Sequence, residues 1–362
     1  MVTEARTAEP FPLRRLTSVN PVPLVGLTLV ALLIVWLAIN LEKTPDLFLS
    51  AFLIGVTNGA VYGLVALGYT LVYGILELIN FAHGDVFMLG GMISITVIGP
   101  DLFNLHAGES AARIWPSIFA TLAIAMVGCG VINATVERIA YRPLRGAPRL
   151  VPLITAIAAS FILQNIALAT KGPNFVPLNT GSSGAADFLP QGNLFTFGSG
   201  GRYTWASLIV VLITAPVLMA LLWFVQRTKQ GKAMRATAQD REAAAMMGIN
   251  VNRTISFTFV LAGALAGAAG LIYALYFTSV RFDQGFQLGL IAFTAAVLGG
   301  IGNLPGAVLG ALLIGMVQSF NNTLNWHAPG SDWTQSIVFA VLIAILVFRP
   351  EGLLGERTPE GG

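Results

Sequence analysis

Apolar residues fall into ten long runs along the chain, at about 21–40, 47–73, 76–98, 114–136, 150–170, 205–226, 254–280, 286–301, 304–321 and 334–349. Several reach the ~20 residues that cross ~30 Å of hydrocarbon, and a soluble core would show shorter runs broken by polar faces. The first, fourth, fifth, sixth and last runs read as ordinary apolar helices. The other five contain Gly, Pro or polar residues and read as broken or re-entrant. Membranes tolerate such breaks only where protein or a water-filled cavity covers the backbone. The pattern predicts an all-α polytopic membrane protein with about 8–10 transmembrane helices, some of them interrupted. The N-terminal run is long, and no small-x-small cleavage site follows Trp36, so it reads as a retained first helix and not a signal peptide.

Composition sharpens this class. Hydrophobic residues make up 55% of the 362 positions and charged residues 10%, against about 25% charged in a soluble domain. The basic residues lie between the apolar runs and form no continuous patch, which argues against nucleic acid. They do report orientation. Arg6, Arg14, Arg15, Arg138, Arg142, Arg145, Arg149, Arg227, Lys229, Lys232, Arg235, Arg241, Arg253, Arg349 and Arg357 share one side of the predicted topology. Lys43, Arg113, Lys171, Arg202 and Arg281 take the other. The positive-inside rule assigns the larger set, and with it both termini, to the cytoplasm. The predicted organisation is a cytoplasmic tail over 1–20, a transmembrane domain over 21–350 and a cytoplasmic tail over 351–362. Within the domain, 171–204 is an external loop rich in Gly, Ser, Asn and Pro, and 227–253 is a basic cytoplasmic loop. The single cysteine, Cys129, permits no intramolecular disulfide and gives no metal signal.

The cytoplasmic segment from Lys232 to Gly248 is too polar to cross the membrane, yet its Ala, Met, Arg, Gln and Glu content favours helix. Gly248 suits the left-handed position that stops a helix, and Met246 and Met247 precede it. Flexible Met side chains can repack against a partner, and small Ala side chains allow close approach. Such a helix between two spans is a lever for whatever grips it. On physics alone it fits equally an amphipathic helix lying on lipid headgroups.

Glu242-Ala243-Ala244-x-x-x-Gly248 resembles the loop by which bacterial ABC importer permeases dock on their ATP-hydrolysing subunits. The match is wider than the loop. Asn58 to Gly74, then Ile79-Asn-Phe-Ala-His-Gly-Asp85, look like the branched-chain amino-acid permease family. So do Glu137 to Arg145 and Phe293 to Gly306. Together they run in family order from about 47 to 354, and the chain is most similar to the H-type subunit. It departs in the N-terminal tail and in the 171–204 loop. The resemblance implies a bacterial inner-membrane permease working with a second, M-type permease, two ABC ATPase subunits and an extracytoplasmic substrate-binding protein. It also implies that Arg235, Asp240, Glu242, Ala243, Ala244, Met247 and Gly248 form the ATPase-coupling loop. The chain is not expected to be an enzyme or to carry a cofactor or metal. Its one Gly-Lys pair, Gly231-Lys232, is followed by Ala233 and lacks the upstream Gly of a phosphate-cradling loop.

Ionisable groups at membrane depth are functional candidates by default. Glu77, His83 and Asp85 qualify, and the other acids fall in tails, loops or helix ends. Asn80, His83 and Asp85 flank Gly84 where a helix can break and offer free amides. Gly300 and Asn303 sit at a second Gly-rich break. The stretches from Asn80 and from Gly300 echo one another, and paired interruptions in two halves of a transporter often mark the pathway. Asn80, His83, Gly84, Asp85, Gly300 and Asn303 are therefore the pathway candidates. The competing reading has the polar side chains hold the broken helix in shape. Gly263, Gly267 and Gly270 read as a helix-packing face.

The leading expectation is a permease subunit of an ATP-driven, binding-protein-dependent importer for branched-chain or other hydrophobic amino acids. Urea and short amides are the alternative cargo. A self-sufficient secondary transporter or channel would need intramembrane ion-coupling carboxylates, and few are present. An intramembrane enzyme would need a catalytic cluster, and His83, His106 and His327 are scattered.

Overall fold

Pro45 and Pro305 each stand in the first turn of a helix, where the missing N–H has no intrahelical partner in any case. Such local signals recur along the described residues, most of which are helical. The computed structural model describes residues 21–99, 101–105, 109–148, 150–178, 193–197, 201–349 and 351–355. The tail 1–20, half of the external loop, His106, Arg149 and residues 356–362 lie outside them. The chain divides into two units, Met1–Ile39 and Asn40–Gly362.

Twelve helices are present among the described residues: α1 (Pro21–Lys43), α2 (Pro45–Leu76), α3 (His83–Ile98), α4 (Ala111–Val136), α5 (Leu150–Lys171), α6 (Trp205–Arg227), α7 (Lys229–Gln239), α8 (Arg241–Met246), α9 (Val251–Phe277), α10 (Gln284–Gly299), α11 (Leu304–Thr323) and α12 (Thr334–Phe348). All but α7 and α8 answer to the ten predicted runs. Among the described residues, seven segments are long and apolar enough to cross a membrane, and α3 and α10 are shorter apolar helices. The run predicted over 76–98 begins as helix only at His83, and that over 254–280 starts at Val251, where the Asn250 side chain accepts from the amide of Arg253 at 3.0 Å. Two short antiparallel pairings complete the structure. Val176–Pro177 (β1) joins Ser279–Val280 (β4), and Asn193–Phe197 (β2) joins Gly201–Thr204 (β3).

The core of the second unit is an internal repeat. Helix α2 ends in a left-handed residue, Glu77 at φ 56°, and α9 ends in another, Thr278 at φ 57°. Each then passes through a linker, 77–82 or 278–283, into a 16-residue helix, α3 or α10. At ~1.5 Å per residue these short helices span about 24 Å, less than the ~30 Å of hydrocarbon. The equivalent linkers read Phe81-Ala-His-Gly84 and Phe282-Asp-Gln-Gly285. The echo drawn in sequence between the Asn80 and Gly300 stretches is thus corrected: the structural counterpart of 77–85 is 278–286. The two halves are inverted, because α2 runs toward the end of the bundle where α9 begins. α2 packs on α11 as α9 packs on α4, with α3 and α10 crossing between them.

Glycine makes those crossings possible. A Cβ on Gly59 would lie 2.6 Å from Leu312 Cα, and one on Gly90 would lie 2.8 Å from Gly267 Cα. Gly263, Gly267 and Gly270 receive α4 and α3 of the same chain, so that predicted packing face serves intrachain contact.

Candidate functional site

The loop between α6 and α9 folds as two helices where one was expected over 232–248. Thr228 caps α7 by accepting from the amide of Gly231 at 3.0 Å, and Asp240 interrupts the run with φ −154° and ψ 114°. One carboxylate oxygen of Asp240 accepts from the amides of Glu242 at 2.8 Å and Ala243 at 2.9 Å, which starts α8. Gly248, at φ 81°, ends it. The amide of Gly248 bonds Ala245 O and that of Ile249 bonds Ala244 O, both at 3.0 Å, the paired closure of a Schellman motif. Ala244 is buried, while Met246 and Met247 are 82% and 83% exposed.

Two arginines fix this loop. Arg235 Nη2 donates to Gln226 O at 3.1 Å, back to the end of α6. Arg241 Nη2 donates to Ile75 O at 2.7 Å, across to the end of α2. Gly231, Met234 and Thr237 form the buried face of α7. Between the loop and the α2–α3 linker lies a cleft of about 450 Å³, whose walls include Leu76, Glu77, Arg145, Pro152, Thr237 and Asp240.

Beside it is a site that sequence reasoning missed. Glu137, set aside there among the helix-end acids, is 1% exposed, in a π-helical turn over Glu137–Tyr141. It pairs with Arg145 and accepts from Ser256 Oγ at 2.8 Å, and Arg145 also donates to Asn252. Burial pulls the Arg145 guanidinium below its ordinary range, and Glu137 opposes the shift. The clamp ties the turn after α4 to the start of α9. Its only signal in sequence is an acid and a base eight residues apart in a turn.

The predicted pathway residues fall into two groups. Asn80, 1% exposed, accepts from Tyr141 Oη at 3.1 Å and donates to Asn133 Oδ1 at 3.4 Å, and Asn133 in turn donates to Phe259 O at 2.7 Å. His83 packs edge-on to Tyr69 with ring centroids 4.8 Å apart, and its imidazole fills the space a Cβ on Gly68 would need. Gly68 lies two turns before the end of α2, so α3 starts inside the bundle. Asp85, 0% exposed, accepts from Ser160 and from Gln164 Nε2 at 3.1 Å, both on α5. Gly84 meets Gly285 across the repeat axis, each where a Cβ would strike the other's backbone carbonyl. The N-termini of α3 and α10 therefore converge beside the Asp85 side chain.

Gly300 and Asn303 belong elsewhere, at the α10–α11 turn. Asn303 Oδ1 caps α11 by accepting from Gly306 N at 3.0 Å, and its Nδ2 donates to Leu354 O at 2.7 Å. The amides of Leu353 and Leu354 bond Leu298 O at 2.8 Å and Gly299 O at 3.0 Å. Residues 351–355 are therefore docked on this turn, part of what was read as a C-terminal tail. Gly74 on α2 faces Gly302, so this turn lies at the same end of the bundle as the α7–α8 loop.

Comparison with known proteins bears on what this arrangement serves. The family model "Branched-chain amino acid transport system / permease component" matches residues 51–346. The high-affinity branched-chain amino acid transport system permease protein BraD of Pseudomonas aeruginosa is 37% identical over 86% of this chain and 97% of its own length. The corresponding LivH protein of Escherichia coli K12 is 35% identical over the same shares. The ribose import permease protein RbsC of E. coli K12 is 27% identical over 88% of this chain and 91% of its own. No solved structure matches. The chain belongs to the permease components of branched-chain amino acid transport systems, as a multi-pass inner-membrane subunit of an ABC importer.

Proposed function

We propose that the chain conducts branched-chain and similar hydrophobic amino acids as the H-type half of a heteromeric permease. Its partners are an M-type permease, two ABC ATPase subunits and an extracytoplasmic binding protein that sets specificity. The names of the relatives at 35% and 37% identity support the cargo. The observation that carries the coupling role is the exposed pair Met246 and Met247, held on a frame whose two ends are closed by Asp240 and Gly248. An apolar pair that open to water is a docking knob for a cytoplasmic partner. In this reading Arg235, Asp240, Glu242, Ala243, Ala244, Met247 and Gly248 present the loop to the ATPase. ATP binding pulls the loop and opens the pathway, and hydrolysis resets it.

The pathway candidates act as structure around the moving parts. Asn80, His83, Gly84 and Asp85 hold the α2–α3 break, and Gly300 and Asn303 hold the α10–α11 turn. Substrate passes along surfaces these breaks position, without a tight site in this chain.

The test is uptake of labelled leucine at low concentration in cells lacking the chain, with unlabelled isoleucine, valine, urea and acetamide as competitors. Loss of uptake, restored by the wild type and competed by isoleucine and valine, is the expected result. Unchanged leucine uptake, in cells with no second leucine system, would remove the amino-acid assignment. Loss of labelled urea or acetamide uptake instead would move the cargo to amides.

A further inference from the structure

The α7–α8 loop is covalently joined to α6 and α9, yet one of its side-chain ties reaches a different helix. Arg241 stands just after the break at Asp240, and its guanidinium donates to Ile75 O at 2.7 Å. That carbonyl is in the last turn of α2, where no intrahelical donor remains and where the negative end of the helix dipole favours a cation. α2 leads directly through Glu77 into the 77–82 linker and so to the buried start of α3. Around this bond the loop and the linker are not packed together. The cleft of about 450 Å³ separates them, with Arg241 among its walls. Two polar atoms of cleft-lining residues, Thr237 Oγ1 and Arg145 Nε, are buried and lack a hydrogen-bond partner. The cleft gives the loop room to move against the linker.

We propose that Arg241 is a positioning residue that carries displacement of the α7–α8 loop to the end of α2 and thence to the α2–α3 break. The route bypasses the two spans to which the loop is attached. α2 is suited to receive it: it packs on α9, α10 and α11 together, so shifting its end shifts both halves of the repeat. The proposal rests on the loop being the ATPase dock.

The test uses the whole transporter, with its partner permease, ATPase subunits and binding protein, reconstituted in liposomes and supplied with labelled leucine. R241A is expected to assemble and keep binding-protein-stimulated ATP hydrolysis within about twofold of wild type. Leucine imported per ATP hydrolysed should fall about tenfold or more, the scale of a lost coupling contact. R241K, which keeps a cationic donor for one carbonyl, should recover most of that ratio. A residue that only capped α2 would lower the amount of complex and leave the ratio unchanged, and that result would overturn the proposal. Loss of bound ATPase from R241A would overturn it too, making Arg241 a docking contact. If R241A does not assemble, R241Q carries the same expectation, and failure of both to assemble marks Arg241 as structural. A Gly248 variant in the same assay separates the two ideas. If it uncouples while R241A does not, Arg241 is wrong and the dock stands; if neither uncouples, the dock itself fails.

Discussion

Gly248 and Glu137 show how single residues govern the loop surfaces. At Gly248 no atom would meet an added Cβ, so the demand is purely conformational: φ is 81°. An L-residue there costs about 1–2 kcal/mol, and the six-residue α8 has little to offset it. Gly248→Val should leave membrane insertion and assembly intact while α8 loses its end and the Met246–Met247 knob its direction. Leucine uptake should fall while ATP hydrolysis continues, and normal uptake by that variant would count against the docking role. Glu137 is the opposite case, set by burial. Glu137→Gln would leave the Arg145 guanidinium without its counter-charge. Removing one partner of a buried pair costs about 3–5 kcal/mol, and since Arg145 keeps 16% of its side chain exposed we expect about 1–3 kcal/mol. The readout is a lower thermal midpoint of the detergent-purified complex. Gly248 was legible in sequence because a helix stop after an Ala- and Met-rich stretch is a local event. Glu137 was not, because it meets Ser256, and its partner Arg145 meets Asn252, only once α4 and α9 are packed.

Among the elements, α3 and α10 carry the design. Each follows a long helix that stops on a left-handed residue, and each begins inside the bundle where free amides would otherwise be stranded. The Gly84–Gly285 contact is what lets the two starts touch. Gly84→Ala would drive a methyl into the Gly285 carbonyl and to 2.9 Å from Gly289 Cα, both rigid backbone. Overpacking of this kind costs about 1–3 kcal/mol or more, and we expect a sharp drop in folded protein, seen as monodisperse material on size exclusion. Gly63→Ala is the control: its Cβ would sit 3.7 Å from Ala311 Cβ, an ordinary contact, and the yield should not change. The break at Asn80–Asp85 was readable from Gly84 and the polar residues around it. Its true counterpart was hidden because 278–286 shares only Phe-x-x-Gly with it, while the glycine-rich Gly300 stretch looks more similar and makes a turn. The β1–β4 pairing was hidden as well, since two residues after α5 meeting two after α9 leave no pattern in either segment.

At the scale of the molecule, one end of the bundle gathers the parts that the proposed docking role would engage. The α7–α8 loop, the end of α2, the Glu137–Arg145 clamp and the α10–α11 turn with residues 351–355 all lie there. Ten runs of apolar residues sufficed to predict ten helices, seven of them in segments long enough to cross a membrane, because apolar length acts on each run alone. How those runs converge at one end depends on contacts between distant segments, and the docked 351–355 segment is the clearest instance. Asn303 is its hinge pin, since one oxygen caps α11 and one nitrogen holds Leu354. Asn303→Asp keeps an acceptor for the cap, a good one, but removes the donor and sets a carboxylate against the Leu354 carbonyl. Asn303→Ala removes both and should cost about 1 kcal/mol more in helix stability. Hydrogen exchange of the Leu353 and Leu354 amides reads the difference, because both are bonded to α10 carbonyls in the intact protein. Asn303→Asp should speed their exchange while leaving the amides of α11 protected. If those two amides stay protected in Asn303→Asp, the backbone bonds to Leu298 and Gly299 hold the segment unaided. The last span would then be tied to the α10–α11 turn through main chain alone.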